Sequence, residues 1–414
     1  MAKALNFEIE FVMKILIVLI FFLVATCSFS QSLSKKPIST WKGILGMNDR
    51  LEIPFLFDFA KKGRHYSMII KNGEERIKLR CKYEKDSITA HFPGIDSYLR
   101  IKCEGKEMRG YWVNMNKTRA QKIPLQAYTS KDILRFEFIE KEVHVPLFPR
   151  YSFVFNDVKE KNIAVGIFKS ADKFVSGTIM TETGDYRYLD GILNGSHLSM
   201  STFNGIWAMR IECEIKEDSL IGEFYSGTSY RTTLGGVAND SVRLRKANSL
   251  TYVINDQAIN FSSVKSLKGK AYNANKKSTL TLFQVMGSWC PNCLDEIVFF
   301  KELHKDYAKE GLSIVAMAYE NQKELKIALS RLKKFKNRMQ IPYEICYAGN
   351  ASKEEASATF PMLNEIMSFP TSILVDENGK IRHIHTGFSG PATGKIYEDY
   401  KKEMREIIEQ LLKE

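Results

Sequence analysis

Two cysteines separated by two residues constrain the fold of this chain more than any other feature. Cys290 and Cys293 follow an apolar stretch with the pattern of a buried strand, residues 279–286, and open a segment with the pattern of a helix. At a helix N-terminus, unpaired backbone N–H groups and the positive end of the helix dipole stabilise an anion. We therefore expect the Cys290 thiol to have a lowered pKa and to attack disulfides as a thiolate at neutral pH.

The spacing of the two cysteines indicates the role of the second one. Cys293 lies three residues after Cys290, on the same face of the predicted helix, and can resolve a mixed disulfide formed at Cys290. Pro291 suits the first helical turn, where its missing N–H costs nothing. Zinc sites use the same spacing, but no second cysteine pair follows and no histidine lies at ligand spacing. The sequence therefore predicts a redox-active disulfide, with neither a metal nor another cofactor.

A carboxylate continues the same helix stripe. Glu296 lies three residues after Cys293, and most of its neighbours, residues 297–300, are apolar, which predicts a largely buried helix. Burial would raise the pKa of this carboxyl group, which could then take the proton of Cys293 as a general base and return it. The alternative is an exposed glutamate near the favourable N-terminal end of the helix.

The segment from about residue 261 to residue 414 resembles the TlpA-like branch of the thioredoxin superfamily, the exported disulfide reductases. The run Trp-Cys-Pro-x-Cys-x-x-Glu that ends at Glu296 carries the resemblance, which implies an acid–base role for this glutamate. Phe369 and Pro370 resemble the cis-proline loop of the family, so Pro370 is expected to be cis, to face Cys290 and to offer backbone to a bound substrate. Thioredoxin has a buried aspartate where this chain has Gln284, which makes Glu296 the better candidate for proton transfer.

The predicted site has a catalytic part and a substrate-contacting part. The catalytic residues are Cys290, Cys293, Glu296 and Pro370. The residues expected to contact the substrate are Trp289, Pro291, Asn292 and Phe369.

The patterning after residue 261 alternates strands and helices and ends in a hairpin and an amphipathic helix. This order predicts a central sheet with helices on both faces, the α/β thioredoxin-like fold. The predicted helices cover residues 290–309, 322–336, 353–366 and 396–412.

The first half of the chain has a different pattern. Residues 41–245 alternate apolar and polar side chains with a period of two, as in residues 51–59, and turn signals such as Asn194-Gly195 separate the runs. This predicts antiparallel sheets arranged as a sandwich or a barrel. With 414 residues, the chain is long enough for several domains. We expect a multidomain protein in which an all-β half precedes the thioredoxin-like domain.

The β half contains an internal repeat. Residues 100–107 (RIKCEGKE) match residues 210–217 (RIECEIKE), and matches on both sides continue in register. The sequence therefore predicts two related β modules, residues 41–130 and 150–250, the second a repeat of the first. Cys103 and Cys213 take equivalent places and are expected to be small buried side chains. A disulfide between Cys81 and Cys103 is the alternative.

The N-terminus predicts export. Lys14 precedes a short apolar run, residues 15–26, and small residues follow before Gln31, which is typical of a secretory signal peptide covering residues 1–30. The run is shorter than the roughly 20 residues of a membrane span. Lipid attachment at Cys27 and an uncleaved signal anchor are alternatives. The expected location is the periplasm or another part of the cell envelope.

These features together predict an extracytoplasmic thiol–disulfide oxidoreductase, a disulfide reductase that acts on proteins or small thiols and receives electrons from a membrane-linked donor. The formal charge of +12 comes from scattered lysines and no nucleic-acid-binding motif is present, so a nucleic-acid partner is not predicted. Two alternatives stay open. One is an exported binding protein whose β half captures a ligand while the thioredoxin-like domain is a scaffold, and the other is a peroxiredoxin-like peroxidase.

Overall fold

The computed structural model describes residues 39–63, 65–115, 120–139, 145–156, 163–273 and 278–414. Over these ranges the chain forms two antiparallel β barrels followed by an α/β domain of the thioredoxin type, which confirms the predicted fold class. The predicted signal peptide, including Cys27, lies outside the described residues. In the part of the chain that is described, no helix has the length and apolar character needed to cross a bilayer.

The first barrel is a closed sheet of eight strands joined in sequence order. Its interior is filled by alternate side chains of each strand, as the period of two requires, so Phe55 and Phe57 are buried while Leu56 is only partly buried. The strands are β1 (Ser39–Asn48), β2 (Leu51–Lys62), β3 (His65–Asn72), β4 (Glu75–Glu84), β5 (Ser87–His91), β6 (Ser97–Glu104), β7 (Glu107–Asn114) and β8 (Gln121–Tyr128).

The second barrel repeats this meander. Its sheet has nine strands, and the additional pairing of β10 with β11 closes it, with the short β12 attached at one end. The strands are β9 (Arg150–Phe155), β10 (Ile163–Ala171), β11 (Phe174–Thr181), β12 (Gly184–Asp185), β13 (Leu189–Asn194), β14 (His197–Phe203), β15 (Ala208–Lys216), β16 (Ser219–Ser226) and β17 (Tyr230–Ala238). The two segments that the sequence aligns begin in β6 and β15, the sixth strand of each closed ring. The duplication itself stays a prediction.

The cysteines of the barrels are unpaired thiols. Cys213 is buried in β15, as expected, but Cys103 is exposed, so the prediction of burial was wrong for this residue. Cys103 is the second-to-last residue of β6, close to the turn to β7, where side chains leave the barrel interior. Cys81 and Cys103 form no disulfide.

An aromatic side chain of the second barrel closes one end of the first. Phe203, the last residue of β14, packs in the core of the first barrel, with its ring centroid 4.7 Å from that of Phe55 and 4.9 Å from that of Trp112. The side chain of Asn72 donates to the Phe203 carbonyl at 3.0 Å and accepts from the Phe203 N–H at 3.3 Å. The apolar core of the first barrel therefore includes residues of the second, Phe203, Ile206 and Ala208.

A buried arginine also contacts both barrels. Arg135 is 3% exposed and lies in the connection between them. Its guanidinium donates to the carbonyls of Ser201 and Lys71, at 3.1 Å and 2.5 Å, and pairs with the Asp190 carboxylate at 3.0 Å.

The C-terminal domain has a six-stranded sheet in the order β18-β21-β20-β19-β22-β23. Strands β19, β20 and β21 are parallel to one another, and β18, β22 and β23 are antiparallel to their neighbours. Side chains of β19 alternate between two apolar clusters, one on each face of the sheet, and helices contribute to both. The elements are β18 (Lys265–Ser266), β19 (Leu280–Met286), α1 (Pro291–Tyr307), β20 (Leu312–Glu320), α2 (Leu325–Met339), β21 (Glu344–Asn350), α3 (Lys353–Thr359), β22 (Thr371–Asp376), β23 (Ile381–Thr386) and α4 (Lys395–Leu411).

One predicted helix is shorter than expected. The pattern predicted a helix over residues 353–366, but α3 ends at Thr359. Pro361 explains the difference, because a proline disfavours helical backbone at the residue before it and cannot donate to the helix. The following chain instead packs Met362 and Leu363 into the core.

We expect Arg135→Ala to lower the free energy of unfolding by about 3 kcal/mol, because it leaves Asp190 and two carbonyls without their charged donor. Chemical denaturation measures the change. Arg109→Ala is the matched control, since Arg109 pairs with Glu107 in solvent and should contribute less than about 1 kcal/mol. Equal effects of the two substitutions would contradict the assigned role of Arg135.

Candidate active site

Cys290 and Cys293 form a disulfide at the start of α1, with Cα atoms 5.3 Å apart. Cys290 is the N-cap residue of the helix, and its Sγ accepts a hydrogen bond from the Cys293 N–H at 3.2 Å. Cys290 is 5% exposed and Cys293 is fully buried. Only the first cysteine can therefore meet an external disulfide, and its sulfur lies where the helix end stabilises a thiolate.

The cis-proline loop faces this sulfur. The peptide bond between Phe369 and Pro370 is cis, and the Phe369 carbonyl oxygen lies 3.3 Å from Cys290 Sγ. The Phe369 ring packs edge-on against Trp289, with centroids 5.5 Å apart. These residues, which the resemblance singled out, lie together at the mouth of the redox centre.

Glu296 lies beneath the disulfide and is fully buried, so the alternative of an exposed glutamate was wrong. Gln284 Nε2 donates to one carboxyl oxygen at 2.8 Å, and the Tyr400 hydroxyl donates to the other at 3.5 Å. Burial raises the pKa of Glu296 to about 8, although both hydrogen bonds act to lower it. The same Gln284 amide lies 3.5 Å from the Cys293 carbonyl, so this residue links the carboxyl group to the buried cysteine.

A second buried carboxylate holds the loop before the disulfide. Glu320, at the end of β20, accepts hydrogen bonds from the Ser288 N–H at 2.9 Å and from the Ser288 hydroxyl at 2.8 Å. Burial raises its pKa. The indole N–H of Trp289 donates to the Tyr319 carbonyl at 2.9 Å. Glu320 reaches Ser288 because β19 and β20 are parallel neighbours, so their carboxyl ends meet at one edge of the sheet.

The second barrel forms one wall of the space around Cys290. We call this space the redox cleft: it has a volume of about 240 Å3 and lies between Tyr186 and Trp207 of the barrel and Trp289, Cys290 and Phe369 of the C-terminal domain. Nothing in the sequence pattern indicated that the barrel contributes to the site, because these side chains come together only through the packing of two domains.

Two residues expected to contact the substrate, Pro291 and Asn292, also contact the second barrel. Asn292 also lines the redox cleft, but its amide donates to the Asp185 carbonyl at 3.2 Å and to the Phe388 carbonyl at 3.4 Å. The Pro291 carbonyl accepts from Arg187 at 3.3 Å.

Arg187 is the centre of a largely buried charge cluster, with its side chain 14% exposed. Its guanidinium pairs with Glu75 of the first barrel and, at 3.1 Å, with Asp295 of α1. Burial raises the pKa of Asp295 against the effect of Arg187, and the carboxylates of Glu75 and Asp185 raise it further. Charged residues of three domains thus meet beside the redox pair.

Residues 254–400 match the Redoxin family. The chain is 26% identical over 133 residues to the thiol-disulfide oxidoreductase ResA of Halalkalibacterium halodurans, a match that covers 32% of this chain and 68% of the relative. It is 28% identical over 120 residues to the thiol:disulfide interchange protein DsbE of Vibrio cholerae, which covers 29% of this chain and 56% of that protein.

A solved structure is similar to this chain over a comparable share of its length. The crystal structure of a thiol:disulfide interchange protein of the thioredoxin family from Chlorobium tepidum aligns with 20% identity over 41% of this chain and 99% of that chain. The TM-score of this alignment is 0.28. The similarities found thus concern one domain of this chain.

The buried Glu296 predicts a pH dependence of stability. The carboxyl group is protonated in both states below its ordinary pKa of 4.5, but between 4.5 and about 8 it ionises only on unfolding, so its contribution to stability is lost as pH rises. The free energy of unfolding of the neutral variant Glu296→Gln, relative to that of the wild type, should therefore rise by up to about 1.4 kcal/mol per pH unit across this window.

Denaturation of the oxidised protein between pH 4 and 9 measures this difference. Glu310→Gln, which changes an exposed glutamate just beyond α1, is the control for the substitution itself. A difference between Glu296→Gln and wild type that does not change with pH would refute the assigned pKa.

Proposed function

We propose that this chain is an extracytoplasmic disulfide reductase. Its C-terminal domain is a thiol–disulfide oxidoreductase domain of the TlpA-like branch of the thioredoxin superfamily. The observation that carries the proposal is the position of Cys290, at a helix N-terminus, 3.3 Å from the carbonyl of the cis-proline loop and above a buried carboxyl group. The predicted signal peptide supports action outside the cytoplasm, and a membrane-linked dithiol donor would supply the electrons.

In the proposed reaction the dithiol reduces a substrate disulfide to two thiols. The Cys290 thiolate attacks one substrate sulfur, forms a mixed disulfide and releases the first substrate thiolate. Cys293 then gives its proton to the Glu296 carboxylate and attacks Cys290 Sγ, which forms the internal disulfide and releases the second thiolate. Both thiolates take protons from solvent, and two electrons have passed to the substrate. When the donor reduces the pair again, Glu296 returns its proton to Cys293.

The environment of Glu296 suits this exchange. Its pKa of about 8 is close to the roughly 8.5 of an ordinary thiol, so a proton can move between the two groups at little cost in either direction. A carboxylate with an ordinary pKa would be a much weaker base towards Cys293. Trp289 and Phe369 frame the sulfur that attacks, and Pro370 holds the Phe369 carbonyl beside it.

Trapping tests the two cysteine roles. In Cys293→Ser the mixed disulfide at Cys290 cannot be resolved, so we expect it to accumulate with a disulfide substrate and to be visible by mass spectrometry. Cys290→Ser should form no such adduct. Cys346→Ser, which changes a buried free cysteine of the same domain, is the control and should turn over like wild type. An adduct at Cys293 in the Cys290→Ser variant would contradict the assignment, and full cellular function of that variant would favour the binding-protein alternative.

The direction of electron flow is tested by the reduction potential of the pair, measured on protein starting at Gln31 in thiol–disulfide buffers. We expect a value near or below about −250 mV, close to the roughly −270 mV of thioredoxin. A value above about −150 mV, towards the strong oxidants, would mean that the domain donates disulfides.

A further inference from the structure

We propose that the second barrel restricts the redox centre to low-molecular-weight disulfides with an apolar, preferably aromatic body, and excludes disulfides held in folded proteins. The inference rests on the proposed reductase function and names its substrate class.

Two loops of the C-terminal domain line the redox cleft, residues 289–292 and 367–369, and a third loop, residues 387–390, contacts Asn292. The segment Thr183–Arg187 of the second barrel contacts all of them. The Ser368 hydroxyl donates to the Thr183 carbonyl at 2.9 Å, and the Asn292 amide donates to the Asp185 carbonyl at 3.2 Å. The Gly390 N–H donates to the Asp185 carboxylate at 2.8 Å. The barrel therefore takes one hydrogen-bonding group from each of the three loops.

These contacts leave no space for another chain between the surfaces. A Cβ atom added at Gly184 would lie 2.1 Å from the Asn292 amide nitrogen, and one added at Gly387 would lie 2.8 Å from the Glu182 carbonyl oxygen. Both glycines have positive φ angles, which supports their use where two backbones approach closely. A folded protein that brings its own disulfide to Cys290 has to approach over these loops, and the barrel covers part of each of them.

The opening that remains is small, and four aromatic rings contribute to its lining. The redox cleft measures about 240 Å3, less than the roughly 300–1,000 Å3 of sites for drug-sized ligands. Tyr186, Trp207, Trp289 and Phe369 line it, and flat apolar groups pack well on such rings. The volume suits one arm of a small disulfide, with its second arm directed to solvent.

The wall is held in place from behind. Arg187 follows Tyr186 directly and binds the Pro291 carbonyl, Asp295 and Glu75. Displacement of the wall would separate Arg187 from Asp295 and from the Pro291 carbonyl and leave the largely buried Asp295 carboxylate without its cation, so it carries a high cost.

Reagent size provides a test that needs no substrate. The reduced full chain is alkylated with N-ethylmaleimide or with a maleimide carrying a 5 kDa polyethylene glycol, and labelling at each cysteine is followed by peptide mass mapping. Cys103 is exposed and serves as the internal reference, because the ratio of the two rates at one thiol cancels its intrinsic reactivity. We expect the ratio of the N-ethylmaleimide rate to the rate of the bulky reagent to be at least about tenfold higher at Cys290 than at Cys103. Equal ratios at both thiols would overturn the inference.

Substrate choice is the second test. Oxidation of the reduced full chain by N,N′-dibenzoyl-L-cystine is compared with its oxidation by insulin. Each rate is divided by the rate at which dithiothreitol reduces the same disulfide. We expect a preference of at least about tenfold for the small aromatic disulfide. A normalised ratio near one would overturn the inference while the reductase function stands, whereas oxidation by neither compound would refute the proposed function itself.

A cleft variant links the preference to the wall. Tyr186→Ala should raise KM for dibenzoylcystine several-fold and change the rate with insulin much less. Tyr128→Ala, an exposed tyrosine of the first barrel outside the cleft lining, is the matched control and should behave like wild type. An unchanged KM in Tyr186→Ala would mean that the aromatic wall does not determine the preference for aromatic disulfides. The exclusion of proteins is decided separately, by the reagent-size experiment on the wild type.

Discussion

A single guanidinium connects the three domains of this protein. Arg187 of the second barrel pairs with Glu75 of the first barrel and with Asp295 of the redox helix, and it also donates to the Pro291 carbonyl. A buried charge is tolerated only where fixed partners replace the water it has lost. The cluster therefore requires the two barrels and the start of α1 to keep one relative arrangement, and the shape of the redox cleft depends on that arrangement.

The chemistry of the redox pair, in contrast, is provided by the C-terminal domain itself. The helix N-terminus at Cys290, the cis-proline loop and the buried Glu296 all come from this domain, and the hydrogen bonds to Glu296 come from Gln284 and Tyr400 of β19 and α4. Among the residues that the structure describes, the barrels add no hydrogen bond to Glu296. The second barrel instead limits access to Cys290, because it contacts loops of the C-terminal domain beside the sulfur. Reactivity and access are thus built by separate parts of the chain.

Much of this could be predicted from local sequence. The apolar strand, the Cys-Pro-Asn-Cys turn and the helix after it lie within about 25 residues, so their relative placement follows from the geometry of one strand and one helix. The apolar neighbours of Glu296 indicated its burial for the same reason. The period-two pattern predicted antiparallel β modules in the first half, although it left open whether they were sandwiches or barrels, because closure depends on the pairing of β1 with β8 and of β10 with β11.

The sequence by itself thus determined the redox pair, its helix, the carboxyl group beneath it and the class of each domain, since all of these depend on residues close together in the chain. Only the tertiary structure decided the cleft, the charge cluster and the engagement of Asn292 by Asp185, whose partners lie more than one hundred positions apart. No periodicity records such contacts, because they arise where two finished surfaces meet. The exposure of Cys103 and the early end of α3 show the same limit at a smaller scale: a turn and a proline changed what the pattern of the surrounding residues predicted.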